Sequence, residues 1–410
     1  MLSKFLSLPH WDNATNDGEQ DFYLLLKNAD KQFIDEIHDI YFGLSFEYTY
    51  KGQKKRLGNV MGQYVSDNQL NYLFKIQAEL GIPISATFND LNIPREFHLD
   101  REVSKQFISY IGGLYKRGLR SITISNKHLV KSGILQRNFP ELRIKNTVNH
   151  RVDNAQSVLD HIYLGYDTIL LDRNLNRNIT ELKKIKNLVD TYNHQVQPEK
   201  TVYTSLLVTE SCMADCPFKR EHDDYGDVTY FDTLSFLSCD NWRKNPVVAN
   251  LPRAGLDTFF TDWQDFNTLM SLVDIIKFSG RNNGTSFSVK PNQKDEIKKM
   301  SWAFPDLGEL KYNTLVFSKD KPRFFNSFKE ARANNCPYPS FLVPSWVLSE
   351  LSSNSSLKYI NGVVESSIYR DVSKFKDLSE TLFNCRSQCY ACHKCEKVYG
   401  VSEFQSLIQL

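Results

Sequence analysis

Two groups of cysteines carry the strongest chemical signal in this sequence. Cys212 and Cys216 lie four positions apart in "LLVTESCMADCPFKREHDD" (Leu206 to Asp224), just past an apolar run that ends at Thr209. Cys385, Cys389, Cys392 and Cys395 follow one another in "CRSQCYACHKCEKVYG" with C-x₃-C-x₂-C-x₂-C spacing. Four thiols within eleven residues have few structural uses in a reducing compartment and read as metal ligands. A C-x₃-C pair supplies only two thiolates, whereas zinc or an iron–sulfur cluster usually takes four. The C-terminal group is therefore expected to complete the shell begun by Cys212 and Cys216, or to form a second site. A [4Fe–4S] cluster is the expected cofactor and Zn²⁺ the alternative. His222 and His393 could replace a thiolate. Cys239 and Cys336 stand alone and read as small buried hydrophobes.

A second set of chemically capable residues recurs at the ends of apolar runs. Asn89 and Asp90, Ser125 and Asn126, Asn149 with His150 and Arg151, and Asp172 with Arg173 each follow such a run. Lys277, Ser279 and Arg281 do the same further on. A ring of amides and charges at such ends reads as a site for a polar or anionic ligand. Asn89, Asn149, Arg151, Arg177 and Arg220 are the candidate substrate-binding residues, and His150, His222, Lys277 and Arg281 the candidate catalytic ones. Imidazoles suit proton transfer because they titrate near neutrality. Guanidinium and ammonium groups hold anions by charge-assisted hydrogen bonds. The plainer reading of the asparagines is that each caps the helix that follows it.

The elements that must position these residues alternate regularly. "IHDIYFGL" (Ile37–Leu44), "IPISATFN" (Ile82–Asn89), "RSITIS" (Arg120–Ser125), "LRIKNTVN" (Leu142–Asn149), "DTILLD" (Asp167–Asp172), "TVYTSLLVT" (Thr201–Thr209) and "DIIKFSG" (Asp274–Gly280) read as strands. Helical patterns fall between them at 67–81, 102–116, 127–137, 153–164, 179–193 and 263–273. Strands alternating with helices require parallel pairing through right-handed crossovers. The expectation is an α/β chain folded as a (β/α)₈ TIM-like barrel, with one strand irregular or missed. "PVVANLP" (Pro246–Pro252) is the candidate for that strand. No glycine-rich phosphate loop follows the first strand, which disfavours a doubly wound sheet. The expected organisation is an N-terminal extension over 1–28, the barrel over 29–284, and a C-terminal cysteine-containing cap over 285–410.

Composition bounds the rest. The 410 residues are 41% hydrophobic and 24% charged, enough for a sizeable core. A net charge of +2 advertises neither nucleic acid nor an acidic membrane. No apolar run reaches the ~18 residues of a membrane span. The N-terminus has too short an apolar core for a signal peptide, so a cytoplasmic location is expected.

With these residues laid out, the barrel segment resembles the collagenase-like peptidase family U-thirty-two. That family includes proteins associated with oxygen-independent hydroxylation of RNA bases and of the ubiquinone ring. "DIIKFSGRNN" resembles its late Lys-Ile-x-Gly-Arg element, here Lys277, Phe278, Ser279, Gly280 and Arg281. "IKNTVNHRVDNAQSVLDHIYLGYDTILLDRNLN" resembles its strand–helix–Gly-x-Asp–strand segment. Cysteines just after a late barrel strand match the place where family members bind an iron–sulfur cluster. The resemblance covers roughly residues 30 to 285. The C-terminal cysteine group is not a general feature of that family. Cys385, Cys389 and Cys392 also reproduce the spacing of radical S-adenosylmethionine enzymes, but there the motif follows the first barrel strand, which rejects that reading.

Three functions follow from this reading. The resemblance implies an iron–sulfur oxidoreductase that hydroxylates or otherwise modifies an RNA base or a small anionic or aromatic molecule, with an electron donor as partner. A metal-dependent peptidase or hydrolase is the second, although neither a nucleophile–base pair nor a zinc-protease motif is present. The third is a zinc-containing RNA-binding protein without catalysis, with "KYNTLVFSKDKPRFF" (Lys311–Phe325) as its basic and aromatic stretch.

Overall fold

The computed structural model describes residues 4–10, 23, 24, 26, 27, 31–59, 67–208, 219, 220 and 263–278, with four three-residue strands beyond. Eight strands close into a parallel barrel. They are β1 (Leu6–Pro9), β2 (Ile37–Gly43), β5 (Ile84–Phe88), β6 (Ser121–Ile124), β7 (Arg143–Lys145), β8 (Thr168–Leu171), β9 (Tyr203–Val208) and β10 (Ile275–Phe278). Around the ring the order is β1-β10-β9-β8-β7-β6-β5-β2. A hairpin of β3 (Ser45–Tyr50) and β4 (Gln53–Gly58) follows β2 outside the ring.

The helices are α1 (Lys31–Glu36), α2 (Asp67–Leu80), α3 (Arg95–Leu99), α4 (Arg101–Lys116), α5 (Lys127–Lys131), α6 (Ile134–Asn138), α7 (Ala155–Leu164), α8 (Ile179–Gln195) and α9 (Trp263–Leu272). Their apolar stripes explain their placement. In α4, Val103, Phe107, Ile111 and Leu114 fall on one face and are buried, and Phe107 meets Phe88 of β5 edge-on at 5.4 Å between ring centroids. Truncating such a ring to alanine costs about 3–5 kcal/mol. Asp100 starts the helix by accepting the Glu102 N–H at 2.8 Å. The capping role expected of strand-end asparagines is real at Asn126, which accepts the Leu129 N–H at 3.0 Å to start α5. Asn154 and Asn178 do the same for α7 and α8.

The barrel thus has the expected architecture, with one difference in where it begins. The eighth strand is Leu6–Pro9, inside the segment read as an N-terminal extension. It pairs with β10 on one side and β2 on the other and closes the ring. Four residues are too few to display a period, which is why the sequence hides it. "PVVANLP", proposed for this role, lies outside the described residues. Of the expected C-terminal cap, the described residues are two antiparallel pairs, β11 (Ser301–Ala303) with β12 (Lys311–Asn313) and β13 (Lys358–Ile360) with β14 (Val363–Glu365). No described helix is long and apolar enough to cross a membrane.

Strand alternation divides the barrel's two faces. Ile40, Ile84, Ala86, Phe88, Ile122, Ile124, Ile144, Ile169, Leu171, Leu206 and Ile276 join the helix residues in one apolar core. The residues between them face the lumen. Following the paired residues, the lumen face carries Ser7, Asp39, Tyr41, Ser85, Thr87, Ser121, Thr123, Lys145, Thr168, Leu170, Ser205, Leu207, Ile275 and Lys277. Inner layers of such barrels are ordinarily filled by Val, Ile and Leu. Here hydroxyls and charges predominate.

Candidate active site

The centre of the lumen is an ion pair. The Lys145 ammonium on β7 donates to Asp39 Oδ2 on β2, with β5 and β6 between the two strands, so the contact crosses the interior. Ser7 Oγ on β1 donates to Asp39 Oδ1 at 2.6 Å, and His38 Nε2 lies 3.9 Å from Oδ2. Asp39 is 1% exposed. Burial alone would raise its pKa, but the Lys145 charge, then His38, then the hydrogen bonds from Lys145 and Ser7 bring it down to about 2. Asp39 is therefore a carboxylate near neutrality. Burial holds His38 down to about 4, and its ring is neutral there.

Lys277 joins the same level of the barrel. It pairs in register with Ser7, which pairs in turn with Asp39. Its ammonium lies 3.8 Å from the centroid of the Tyr41 ring, a cation–π contact, and the residue is buried. Of the candidate catalytic residues that the structure describes, His150 and Lys277, it is Lys277 that faces the lumen.

His150 occupies a different position. It ends a short 3₁₀ turn after β7 (Val148–His150), and its Nε2 meets the Ser125 carbonyl oxygen at 2.9 Å. Its ring packs against His161 and Tyr166, at 5.3 and 5.9 Å between centroids. Burial, followed by the charge of Lys127, pulls its pKa down to about 3, so at pH 7 it is a neutral imidazole and not a charged acid. His222 and Arg281 lie outside the described residues.

The candidate binding residues divide in the same way. Arg151 has a left-handed backbone (φ 54°), and its guanidinium donates to the Arg220 carbonyl at 3.1 Å. That contact ties the segment after β7 to the segment after β9. Asn149 lies in the 3₁₀ turn, where its N–H donates to Thr147 Oγ1 at 3.2 Å. Asn89 follows β5 at the mouth and is half-buried. Arg177 ends a second 3₁₀ turn (Arg173–Arg177), and its side chain lies outside the described part of the molecule.

Several site residues escaped the sequence reading. Asp39 and Lys145 sit inside apolar runs and looked like strand filler. Their signal is alternation, a charge at an inward position beside an apolar outward one, Ile40 for Asp39 and Ile144 for Lys145. His10 follows the strand that was missed. Its N–H donates to the Tyr41 carbonyl at 2.7 Å, and burial holds its pKa down to about 4. Asn146 falls within the stretch 142–149 that reads as a strand, where nothing in the sequence singles it out. It is fully buried, and its side chain pairs with both the N–H and the carbonyl of Leu170, extending the short β7 against β8.

Among the described residues, no three His, Cys, Asp or Glu side chains converge as metal ligands. All six grouped cysteines (Cys212, Cys216, Cys385, Cys389, Cys392 and Cys395) lie outside the described residues, as do Cys239 and Cys336. In sequence, Cys212 follows Val208, the last residue of β9, by four positions.

No protein-family model matches the chain, and no curated protein matches it in sequence. Among solved structures it is similar to the U32 peptidase Mk0906, with a TM-score of 0.39 and 13% identity over 67% of this chain and 92% of that one. The YdjI aldolase from Escherichia coli K12 gives 0.35 and 9%, over 85% and 90%. The trehalose-6-phosphate hydrolase of Bacillus licheniformis gives 0.33 and 9%, over 93% and 83%. Likenesses this distant add nothing to what the closed barrel establishes by itself.

Proposed function

We propose that this protein is a barrel enzyme that modifies a small anionic or aromatic molecule, or an RNA base, at the mouth above the Lys145–Asp39 pair, using an iron–sulfur cluster held by its grouped cysteines. The observation that carries the enzyme reading is the polar lumen. A barrel gains little stability from a buried ion pair, since well-packed apolar residues of similar volume are often as good or better. A buried Lys–Asp pair amid hydroxyls at the centre of such a barrel is better explained by what it does to a ligand.

The redox part rests on the cysteines. Cys212 and Cys216 follow β9 directly, and chemistry in parallel barrels collects past the carboxyl ends of the strands. The four C-terminal thiols supply enough further ligands for a [4Fe–4S] centre. When bound, such a cluster would supply electron transfer or an open iron. The resemblance of the Lys277–Arg281 stretch to the U-thirty-two family favours the same reading.

The described residues have roles that need no cluster. Asp39 stays ionised and fixes the Lys145 ammonium, which then presents N–H donors of fixed direction to an acceptor oxygen. Lys277, held on Tyr41, adds a second positive charge from the other side of Asp39. Neutral His10 and His150 leave that field undiluted. Arg281, Arg177 and Arg220 would hold the outer part of an anionic substrate.

Absorbance of protein purified without oxygen tests the redox part. A brown preparation with a broad band that bleaches on reduction is expected. A colourless preparation with stoichiometric zinc would reject it in favour of a zinc site.

A further inference from the structure

The lumen holds polar atoms that its own residues leave unused. Thr87 on β5 and Thr123 on β6 are 3% and 2% exposed, and among the described residues neither hydroxyl has a hydrogen-bond partner. This is not a general property of the inner face. One inward position below, Ser85 and Ser121 pair with each other at 3.0 Å, and Ser7 is engaged by Asp39. A buried hydroxyl without a partner is costly, and most such groups in native proteins are satisfied by something.

Register brings these hydroxyls into a row. Gly43 pairs with Thr87, Thr87 with Thr123, and Thr123 with Lys145. Gly43 contributes no side chain, and Asn59 occupies that space. A Cβ built on Gly43 would fall 2.8 Å from Asn59 Nδ2. The row therefore runs amide, hydroxyl, hydroxyl, ammonium across neighbouring strands. Among the described residues the Lys145 ammonium is engaged by Asp39 alone, and an ammonium has three N–H donors. Two N–H groups and two hydroxyls remain to serve an acceptor.

An apolar wall stands beside this row. Val148, Leu170 and Leu207 form a small buried cluster apart from the main core. Leu170 is the next inward position above Thr168, the partner of Lys145 in register.

We infer that this row is the carboxylate subsite of the enzyme proposed above, and that the substrate is a small carboxylate with an apolar or aromatic body. A carboxylate is acceptor-only, so it complements a donor row, and its body would lie on Val148, Leu170 and Leu207. A phosphate dianion fits less well. It is ordinarily met by arginine forks or by backbone N–H groups at a helix N-terminus, and the row offers neither. The inference rests on the barrel-mouth reading, but its test needs neither turnover nor cluster.

The test is calorimetric titration of the full chain with benzoate, with benzamide and inorganic phosphate as comparisons. Benzoate should bind saturably and about tenfold or more tighter than benzamide. Thr87→Val and Thr123→Val should each weaken it about three- to tenfold. Neither substitution should lower the melting temperature, because neither hydroxyl bonds any of the described residues. Thr87→Ser and Thr123→Ser keep the hydroxyl and should bind benzoate as the parent does. The inference is overturned if benzoate does not bind saturably, if the valine variants bind it unchanged, or if phosphate binds more tightly. It is also overturned if the valine variants unfold while the serine variants bind poorly. Any of these failures leaves iron and sulfide content untouched. Conversely, a protein without iron that still binds benzoate through these residues would remove only the redox reading.

Discussion

Lys145 and Asp39 meet across the lumen of the barrel, joining β7 to β2 over the two strands that separate them. The pair is enclosed by hydroxyls and by a second lysine, Lys277, and it is the feature from which the proposed chemistry is derived. Its energetics are testable apart from any activity.

Asp39→Asn would leave the Lys145 ammonium in the lumen without its countercharge. The expected loss is about 3–5 kcal/mol, because removing one member of a buried pair strands the other. The double variant Asp39→Leu/Lys145→Met should be less destabilised than Asp39→Asn. Urea unfolding at constant m-value reads both. An Asp39→Asn protein within about 1 kcal/mol of the parent would mean that water reaches the pair freely.

Two carboxylates set opposing pH dependences. The Asp39 pKa lies below its unfolded value, so its stabilisation is present above about pH 4 and is lost as the pH falls toward 2. Asp167 is the reverse. Burial raises its pKa to about 6 against the pull of Arg143 and the hydrogen bonds from Ile144 and Thr168. In the folded state it keeps its proton where the unfolded chain has lost it, so stability falls as the pH rises from about 4 to 6. The loss is roughly 3 kcal/mol. Asp167→Asn can still accept the Ile144 N–H and should flatten this limb of a melting-temperature profile between pH 4 and 7. An unchanged limb would assign it to other groups.

Asn146 replaces a backbone partner at the β7–β8 seam. Asn146→Ala should cost about 2–4 kcal/mol, since it leaves the N–H and carbonyl of Leu170 unpaired in a dry place. Hydrogen exchange at the Leu170 amide gives a local reading, with exchange about tenfold or more faster than in the parent. Retained protection there would show that backbone alone holds the seam.

The fold was more legible than the site, for physical reasons. Helices such as α4 announce themselves because Val103, Phe107, Ile111 and Leu114 repeat at the helical period over about three turns. β1 does not, because four residues with a terminal proline carry no period. The β3–β4 hairpin is hidden too: its turn at Lys51 and Gly52, both with positive φ, joins the alternating "SFEYTY" to "QKKRLG", which shows no alternation. The polar lumen was visible as Ser-x-Thr in both "ISATF" and "SITI". Its meaning was not, because only register shows that Ser85 faces Ser121 and Thr87 faces Thr123. Lys277 was picked out by its place at a strand end, whereas Asp39 lies in mid-strand, where a charge looks like noise until its partner is known.

Metal analysis decides whether the grouped cysteines equip this barrel with the proposed iron–sulfur cluster. Iron and acid-labile sulfide would be measured in anaerobically purified protein, in Cys212→Ser/Cys216→Ser, and in a chain ended after Asp377. About four irons and four sulfides per cluster are expected in the parent. The double serine variant should lose the cluster proposed for the barrel mouth, and the shortened chain should lose it too, since Cys212 and Cys216 alone supply two ligands. Stoichiometric zinc without sulfide in the parent would contradict the claim.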